Sequence, residues 1–286
     1  MPKKIYLIDR LINENWFDTE KESLPWIMAG KVLVGDIRAF SGKEKVPPDA
    51  EIRVKEYYKK KYVNKGGLKL QGALDDFKID VNGETALDCG ASAGGFTDCL
   101  LQRGAKLVYA VDAGHGELAA KLRNDAKVVN MERTNISDAP LKTLDPKPDL
   151  ITLDLSYLSL KTAVPECAGI IKYGGDIVAL IKPIVEVASS EIKRSGDINR
   201  REVISEILTD LCGYFIKTGF GIAGLTYSPI RGNNDALEYF IWLRPGEAPQ
   251  NGINGPYSQQ FSECINDIIE KSFALEKFDK NNVSKI

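Results

Sequence analysis

Apolar residues recur in strand-length runs from residue 84 onward, and helix-length segments separate most of these runs. This alternation is typical of an α/β domain built on a mostly parallel sheet. The last two runs predict an antiparallel pair that closes a seven-stranded sheet of Rossmann type. The predicted strands cover residues 85–89, 107–111, 127–130, 150–155, 177–182, 222–227 and 237–243.

The clearest predicted helix covers residues 201–218, because its apolar residues fall on one helical face. After residue 245, Pro and Gly indicate a linker, and a second apolar stripe at helical spacing follows. We expect segment 246–286 to form this linker and an amphipathic helix that docks on the α/β domain; a partner-binding helix is the alternative. The two stripes are Val203, Ile207, Leu208, Leu211 and Phe215, and Phe261, Cys264, Ile265, Ile268, Ile269 and Phe273.

The first 60 residues have the pattern of a separate small α+β domain. Ile8, Leu11 and Ile12 share one helical face, and Thr19 is a suitable N-cap for a second helix that ends at Gly30. Residues 31–34 and 51–54 then predict short strands.

Composition narrows the function classes. The chain of 286 residues has a formal net charge of −2, so any nucleic-acid surface must be a local basic patch. Its five cysteines are widely spaced and it has one histidine, so we expect buried thiols and no metal site. No apolar run is long enough for a membrane span and no signal peptide is evident, so we expect a cytoplasmic protein.

A glycine-rich turn follows the first predicted strand of the α/β domain. Asp88 is followed by Gly90, Gly94 and Gly95, which gives G-x-x-x-G-G in place of the dinucleotide fingerprint G-x-G-x-x-G. This spacing disfavours a pyrophosphate ligand, whereas an acid at the strand end suits a cofactor with an ammonium group. Asp112 ends the second strand, where a carboxylate can accept both ribose hydroxyls of a nucleoside cofactor.

Four charged residues lie at predicted element ends. Lys69 follows two glycines, Asp154 and Lys182 end the fourth and fifth strands, and Glu238 begins the last strand. Since the carboxyl ends of parallel strands face the ligand crevice, we expect Asp154 and Lys182 to meet the bound cofactor.

These residues lie in longer strings that resemble one known family. The chain is similar to the TlyA (hemolysin A-like) ribosomal RNA ribose 2'-O-methyltransferases over residues 5–243. The resemblance rests on residues 27–32, 66–70, 88–100, 131–135, 180–183 and 228–232.

The resemblance implies an N-terminal S4-like RNA-binding domain over residues 1–60 and an FtsJ-like catalytic domain over residues 61–245. The catalytic domain is then a class I methyltransferase with S-adenosylmethionine as cofactor. The resemblance also implies a catalytic tetrad of Lys69, Asp154, Lys182 and Glu238. The residues expected at the cofactor are Asp88, Gly90, Ala91, Ser92, Gly94, Gly95, Phe96, Asp112 and Asp154.

A ribose hydroxyl attacks a sulfonium methyl group efficiently only if a base takes its proton. We assign Lys182 as this base, and the rest of the tetrad as groups that orient Lys182 and the ribose. A neutral lysine requires a lowered pKa, which a second cation such as Lys69 promotes and the two carboxylates oppose.

The expected partner is ribosomal RNA or a ribosomal subunit, with a cytidine as acceptor. A basic stretch interleaved with tyrosines is either an RNA-facing strip or the solvated face of a linker. Its candidate RNA-binding residues, with one lysine from the strand region, are Lys31, Lys55, Lys59, Lys60, Lys61 and Lys65. The alternatives are methylation of another hydroxyl, in a different RNA or a small molecule, and a non-catalytic RNA-binding protein or cytolysin.

Overall fold

The computed structural model describes residues 4–14, 16–17, 19–55, 61–195, 198–248 and 256–275, with side chains from residue 262 in the last range. Contacts divide the chain into two compact units, with the boundary between Val63 and Asn64.

The N-terminal unit has a small core under two helices. Thr19 caps the second helix, as predicted, because its side chain accepts a hydrogen bond from the Glu22 N–H. Leu7, Leu11 and Ile27 are fully buried in this core. The elements are β1 Ile5–Tyr6, α1 Leu7–Asn13, α2 Glu20–Met28, β2 Val32–Val34, β3 Ile37–Arg38, β4 Lys45–Val46 and β5 Ile52–Val54.

In this unit β2 pairs with β3 and β5, and β1 pairs with β4, all antiparallel. The sequence pattern did not predict β1, β3 or β4, because strands of two residues are too short to show alternation.

The larger unit has a seven-stranded sheet of order β11-β12-β10-β9-β6-β7-β8. Its strands are β6 Thr85–Cys89, β7 Leu107–Asp112, β8 Val128–Glu132, β9 Leu150–Leu153, β10 Asp176–Ile181, β11 Phe220–Tyr227 and β12 Tyr239–Pro245. The helices are α3 Gly66–Phe77, α4 Gly95–Gln102, α5 Ala120–Arg123, α6 Ala139–Lys142, α7 Leu160–Ile170, α8 Pro183–Glu186, α9 Ser190–Ser195, α10 Arg201–Lys217 and α11 Pro256–Phe273.

Five strands of this sheet are parallel, and β12 lies antiparallel between β10 and β11. The predicted fold class, a mostly parallel Rossmann-like sheet whose last two strands form an antiparallel pair, is confirmed. All residues of β6 and β9 are buried, as expected for parallel strands covered by helices on both faces.

The apolar stripe predicted on α10 is buried along its length. Helix α11 packs against α10 and β11, with Ile265, Ile268 and Ile269 buried. Four of the five cysteines are buried as expected, whereas Cys264 on α11 is exposed. Among the described helices, none has the length and apolar character that a bilayer span requires.

Candidate active site

The turn after β6 depends on two glycines with left-handed backbone. Gly90 has φ +87°, and a Cβ atom there would lie 2.5 Å from the Asp154 carbonyl oxygen. Gly94 has φ +95°, and a Cβ atom would lie 2.2 Å from the Leu122 side chain. Larger residues would therefore push the turn off the ends of the neighbouring strands.

Asp112, at the end of β7, holds this turn from the side. Its two carboxylate oxygens accept hydrogen bonds from the Ser92 N–H (2.8 Å) and the Gly114 N–H (2.6 Å). The Ser92 hydroxyl donates to Glu117 at 2.6 Å. Asp112 is thus next to the glycine turn, and a carboxylate retains further lone pairs for ribose hydroxyls.

Asp88 lies beneath the turn, in contrast to the expected contact with a cofactor ammonium group. The side chain is fully buried, and its oxygens accept hydrogen bonds from Thr97 (2.6 Å) and Thr152 (3.3 Å). Burial raises the pKa of Asp88 to about 7. Asp88 does not line the cavity, and its hydrogen bonds support the turn from below.

A cavity of about 470 Å³ opens beside the turn and contains all four tetrad residues. Asp154 and Lys182 directly follow β9 and β10, and Glu238 directly precedes β12. Antiparallel pairing places the start of β12 next to the end of β10, since Ile181 is opposite Tyr239. This topology brings the start of the last strand to the crevice at the carboxyl ends of the parallel strands.

Lys69 and Glu238 form a buried ion pair in this cavity. Lys69 Nζ and Glu238 Oε2 are 2.5 Å apart, and both side chains are 7 % exposed. Lys69 lies in the first turn of α3, which begins where the Asn64 side chain accepts a hydrogen bond from the Gly66 N–H at 2.8 Å. Gly232 packs on Glu238, because a Cβ atom there would lie 2.4 Å from Oε1.

The second ion pair is more accessible. Lys182 Nζ is 2.5 Å from Asp154 Oδ1 and donates a hydrogen bond to Ser156 Oγ at 3.1 Å. The two side chains are 16 % and 23 % exposed. Lys182 is therefore the lysine of the tetrad that an incoming acceptor reaches more readily.

The structure brings most of the predicted cofactor residues to this site. Gly90, Ala91, Ser92, Gly95 and Phe96 line the cavity together with Asp154. Gly94 supports the turn from behind, in contact distance of Leu118 and Leu122.

Several lining residues were not predicted as site residues. These residues form no recognisable sequence motif. The only sequence signal for some of them is that they lie within a few positions of Asp154 or Glu238. These residues are Asn64, Ser156, Ile184, Val185, Ile198, Asn233, Asn234 and Leu237.

The predicted RNA-binding lysines divide between the two units. Lys31 and Lys55 are adjacent in the N-terminal unit, where the Lys55 N–H donates to the Lys31 carbonyl oxygen at 2.8 Å. Lys61 lies over the Tyr62 ring in the same unit, 5.3 Å from its centroid, whereas Lys65 lines the catalytic cavity. Lys59 and Lys60 lie outside the described residues.

The residues present fit S-adenosylmethionine. The glycine turn leaves room for close approach of a ligand to backbone, the carboxylate of Asp112 lies beside this turn, and the adjoining cavity is lined by acids and lysines. The sheet order and this strand-turn-helix element are those of an S-adenosylmethionine-dependent methyltransferase.

A model of the FtsJ-like methyltransferase family matches residues 62–245. The chain belongs to this family.

Similar proteins extend the likeness to both units. A "16S/23S rRNA (cytidine-2'-O)-methyltransferase TlyA" of Mycobacterium tuberculosis is 34 % identical over 244 residues, which cover 85 % of this chain and 91 % of that protein. "Hemolysin A" of Brachyspira hyodysenteriae is 35 % identical over 228 residues, 79 % of this chain and 94 % of that one. A solved structure from Streptococcus thermophilus that bears a hemolysin name is 32 % identical and has a TM-score of 0.67; it covers 96 % of this chain and 97 % of its own.

Proposed function

We propose that this methyltransferase modifies the ribose 2'-hydroxyl of a cytidine in ribosomal RNA. The observation that carries the proposal is the meeting of two lysine–carboxylate pairs in one cavity beside the cofactor turn. The names of the TlyA relatives supply the substrate class.

Lys182 is the proposed general base. Bound S-adenosylmethionine supplies an electrophilic methyl group on a sulfonium sulfur. The ribose oxygen forms the new O–CH₃ bond as the S–CH₃ bond breaks, and Lys182 Nζ receives the hydroxyl proton and later releases it to water. Lys182 must therefore enter the reaction as the neutral amine.

The other three residues have orienting roles in this proposal. Asp154 and Ser156 fix the direction of the Lys182 side chain through contacts of 2.5 and 3.1 Å. Glu238 holds Lys69, and the pair offers a donor and an acceptor to the ribose and its flanking phosphate. Misplacement of reacting groups by about 1 Å can cost on the order of a hundredfold in rate, so these contacts matter for turnover.

The N-terminal unit is the proposed RNA-docking module, of S4 type. Lys31 and Lys55 stand on neighbouring strand ends, where two cations can contact successive phosphates. Such contacts position an RNA without reading its sequence.

An acceptor screen with labelled S-adenosylmethionine tests the proposal. The full chain is incubated with small subunits, large subunits, free ribosomal RNA and transfer RNA, and Lys182→Ala serves as the reference for background label. We expect label in ribosomal RNA, free or within a subunit. Label confined to transfer RNA, or to none of the four acceptors, would favour a different hydroxyl substrate.

A further inference from the structure

The C-terminal helix α11 is tied to the loop that carries Glu238 by one arginine. Arg231 donates hydrogen bonds from Nε and Nη2 to the Leu275 carbonyl oxygen, at 3.2 and 3.1 Å, just beyond the end of α11. Its Nη1 atom donates to the Asp235 carbonyl oxygen at 3.3 Å. The guanidinium therefore joins two segments that are distant in sequence, and only 13 % of the side chain is exposed.

The loop held by Arg231 forms part of the cavity wall. Asn233, Asn234, Ala236 and Leu237 line the cavity directly before Glu238. Asn234 and Asp235 have φ of +53° and +62°, two consecutive left-handed residues that are not glycine. Such a backbone persists only where its surroundings hold it, so the loop depends on its attachments.

A second attachment holds the loop from another side. The Asn199 side chain donates to the Asp235 carbonyl oxygen at 3.3 Å and accepts from the Leu237 N–H at 3.3 Å. The Asp235 carbonyl oxygen thus receives hydrogen bonds from both Asn199 and Arg231. The left-handed part of the loop is fixed at this shared oxygen.

The position of Glu238 depends on this loop. Gly232 packs so closely on the Glu238 carboxylate that a Cβ atom would lie 2.4 Å from Oε1. The next residue, Tyr239, is fully buried and its hydroxyl is 2.7 Å from the buried Ser272 hydroxyl of α11. Helix α11 therefore contacts the chain on both sides of Glu238.

We propose that Arg231 is a positioning residue that couples α11 to the acceptor side of the active site. Through the loop 232–237 it sets the place of Glu238, and hence of Lys69, while the cofactor turn on β6 and α4 is held by other contacts. Loss of Arg231 is then expected to impair turnover and leave cofactor affinity unchanged.

A helix that merely adds stability is the competing explanation, and Arg201 offers a matched control. Arg201 also binds α11, through hydrogen bonds of 2.6 and 3.1 Å to Glu270, and its guanidinium lies 4.4 Å from the Phe273 ring centroid. It attaches α11 to the start of α10 and contacts no residue of the loop 232–237 in the described hydrogen bonds and ion pairs. Arg201→Gln therefore weakens helix docking without releasing the loop.

Hydrogen–deuterium exchange of the full chain tests the coupling without any acceptor. In Arg231→Gln, exchange of the peptide covering residues 232–238 should rise about tenfold, since one hydrogen-bonding side chain is lost. Arg201→Gln should leave this peptide as in the parent, and Arg231→Lys, which retains one donor group, should restore part of the protection. Equal exchange in parent and Arg231→Gln, or an equal rise in both glutamine variants, would overturn the proposal.

The second measurement is the turnover number of the same variants. Unlike the exchange experiment, it rests on the proposed function, because it needs a methyl acceptor. With an acceptor identified for the parent, kcat of Arg231→Gln should fall at least about tenfold with an unchanged Kd for S-adenosylmethionine, and Arg201→Gln should retain the parent kcat. Equal losses of kcat in the two variants would contradict the positioning role. If the parent methylates no ribosomal RNA, the proposed function fails, and the exchange result still decides the coupling.

Discussion

Lys69 Nζ and Glu238 Oε2 are 2.5 Å apart and form an ion pair in which each side chain is only 7 % exposed. Lys69 lies in the first turn of α3 and Glu238 directly precedes β12, so the pair joins the first helix of the larger unit to its last strand. Burial makes the two charges interdependent: each is tolerated because the other is present.

Removal of one member of this pair should destabilise the fold. Glu238→Leu leaves the Lys69 cation buried and unpaired, and we expect a loss of about 3 kcal/mol in the free energy of unfolding at pH 7. The double variant Lys69→Met/Glu238→Leu should recover most of this loss, because both charges of the pair are then absent. Chemical denaturation of both variants measures the effect.

The exposed pair Lys271–Asp267 provides the control, with side chains 58 % and 59 % exposed. Asp267→Leu should change stability by less than about 1 kcal/mol, as surface ion pairs contribute little. A Glu238→Leu protein as stable as the parent would show that the Lys69 cation is not dependent on its partner.

Asp112 should contribute to cofactor affinity. Asp112→Ala is expected to weaken S-adenosylmethionine binding by about 1.5 to 3 kcal/mol, the range for hydrogen bonds to a charged group. The half-buried Asp125, which accepts a hydrogen bond from the Lys127 N–H, offers a matched control in Asp125→Ala. Calorimetry that gives the same Kd for Asp112→Ala, Asp125→Ala and the parent would remove Asp112 from the cofactor site.

Asp88 should make stability depend on pH. Its pKa is raised by burial to about 7, against about 3.9 in an unfolded chain. Between roughly pH 4 and pH 7 the folded state therefore retains a proton that the unfolded state releases, so this group lowers stability progressively as pH rises through that window. Above about pH 7 both states are ionised and the loss is complete.

Asp88→Asn cannot ionise, so its stability relative to the parent should rise between pH 4 and pH 7 and then level off. The rise should amount to a few kcal/mol, since a tenfold change in proton affinity is worth about 1.4 kcal/mol. Denaturation curves at several pH values measure it, with the exposed Asp80→Asn as reference. A difference from the parent that stays constant over this range would show that Asp88 does not titrate there.

Lys31 and Lys55 of the N-terminal unit should contribute to the decrease of RNA affinity with increasing salt concentration. In Lys31→Gln/Lys55→Gln the slope of log K against log salt should become shallower by about 1.5 to 2, because two phosphate contacts are lost. Lys106→Gln/Lys147→Gln removes the same charge from exposed sites of the larger unit, and should leave the slope as in the parent. Equal slopes in all three proteins would exclude Lys31 and Lys55 from the RNA surface.

The fold was largely predictable from local pattern. Buried parallel strands such as β6 and β9 produce unbroken apolar runs, and α10 shows its buried stripe directly in the sequence. The strand ends near Asp154 and Lys182 were also predictable from the sequence, because an apolar run that stops at a charged residue indicates where a strand leaves the core.

The connections between distant segments were not predictable in the same way. Ser156 and Asn64 line the cavity from irregular segments, and the hydrophobic periodicity of the sequence does not predict the geometry of such segments. Asp88 has the expected place at the end of β6, yet the direction of its side chain is decided by Thr97 and Thr152 on other elements. Arg231 acts on Leu275 and Asp235 through tertiary contacts alone.

In the proposed mechanism, Lys182 is the base for methylation of a ribose hydroxyl. The most direct measurement labels ribosomal RNA with the full chain and S-adenosylmethionine, digests the RNA to nucleosides and identifies the product by mass spectrometry. We predict 2'-O-methylcytidine, formed at least about a hundredfold more slowly by Lys182→Ala at nearly unchanged cofactor affinity, and at the parent rate by Lys161→Ala, whose lysine pairs with Asp210 outside the cavity. A base-methylated nucleoside would contradict ribose methylation, and 2'-O-methylcytidine formed by Lys182→Ala at the parent rate would exclude Lys182 as the base.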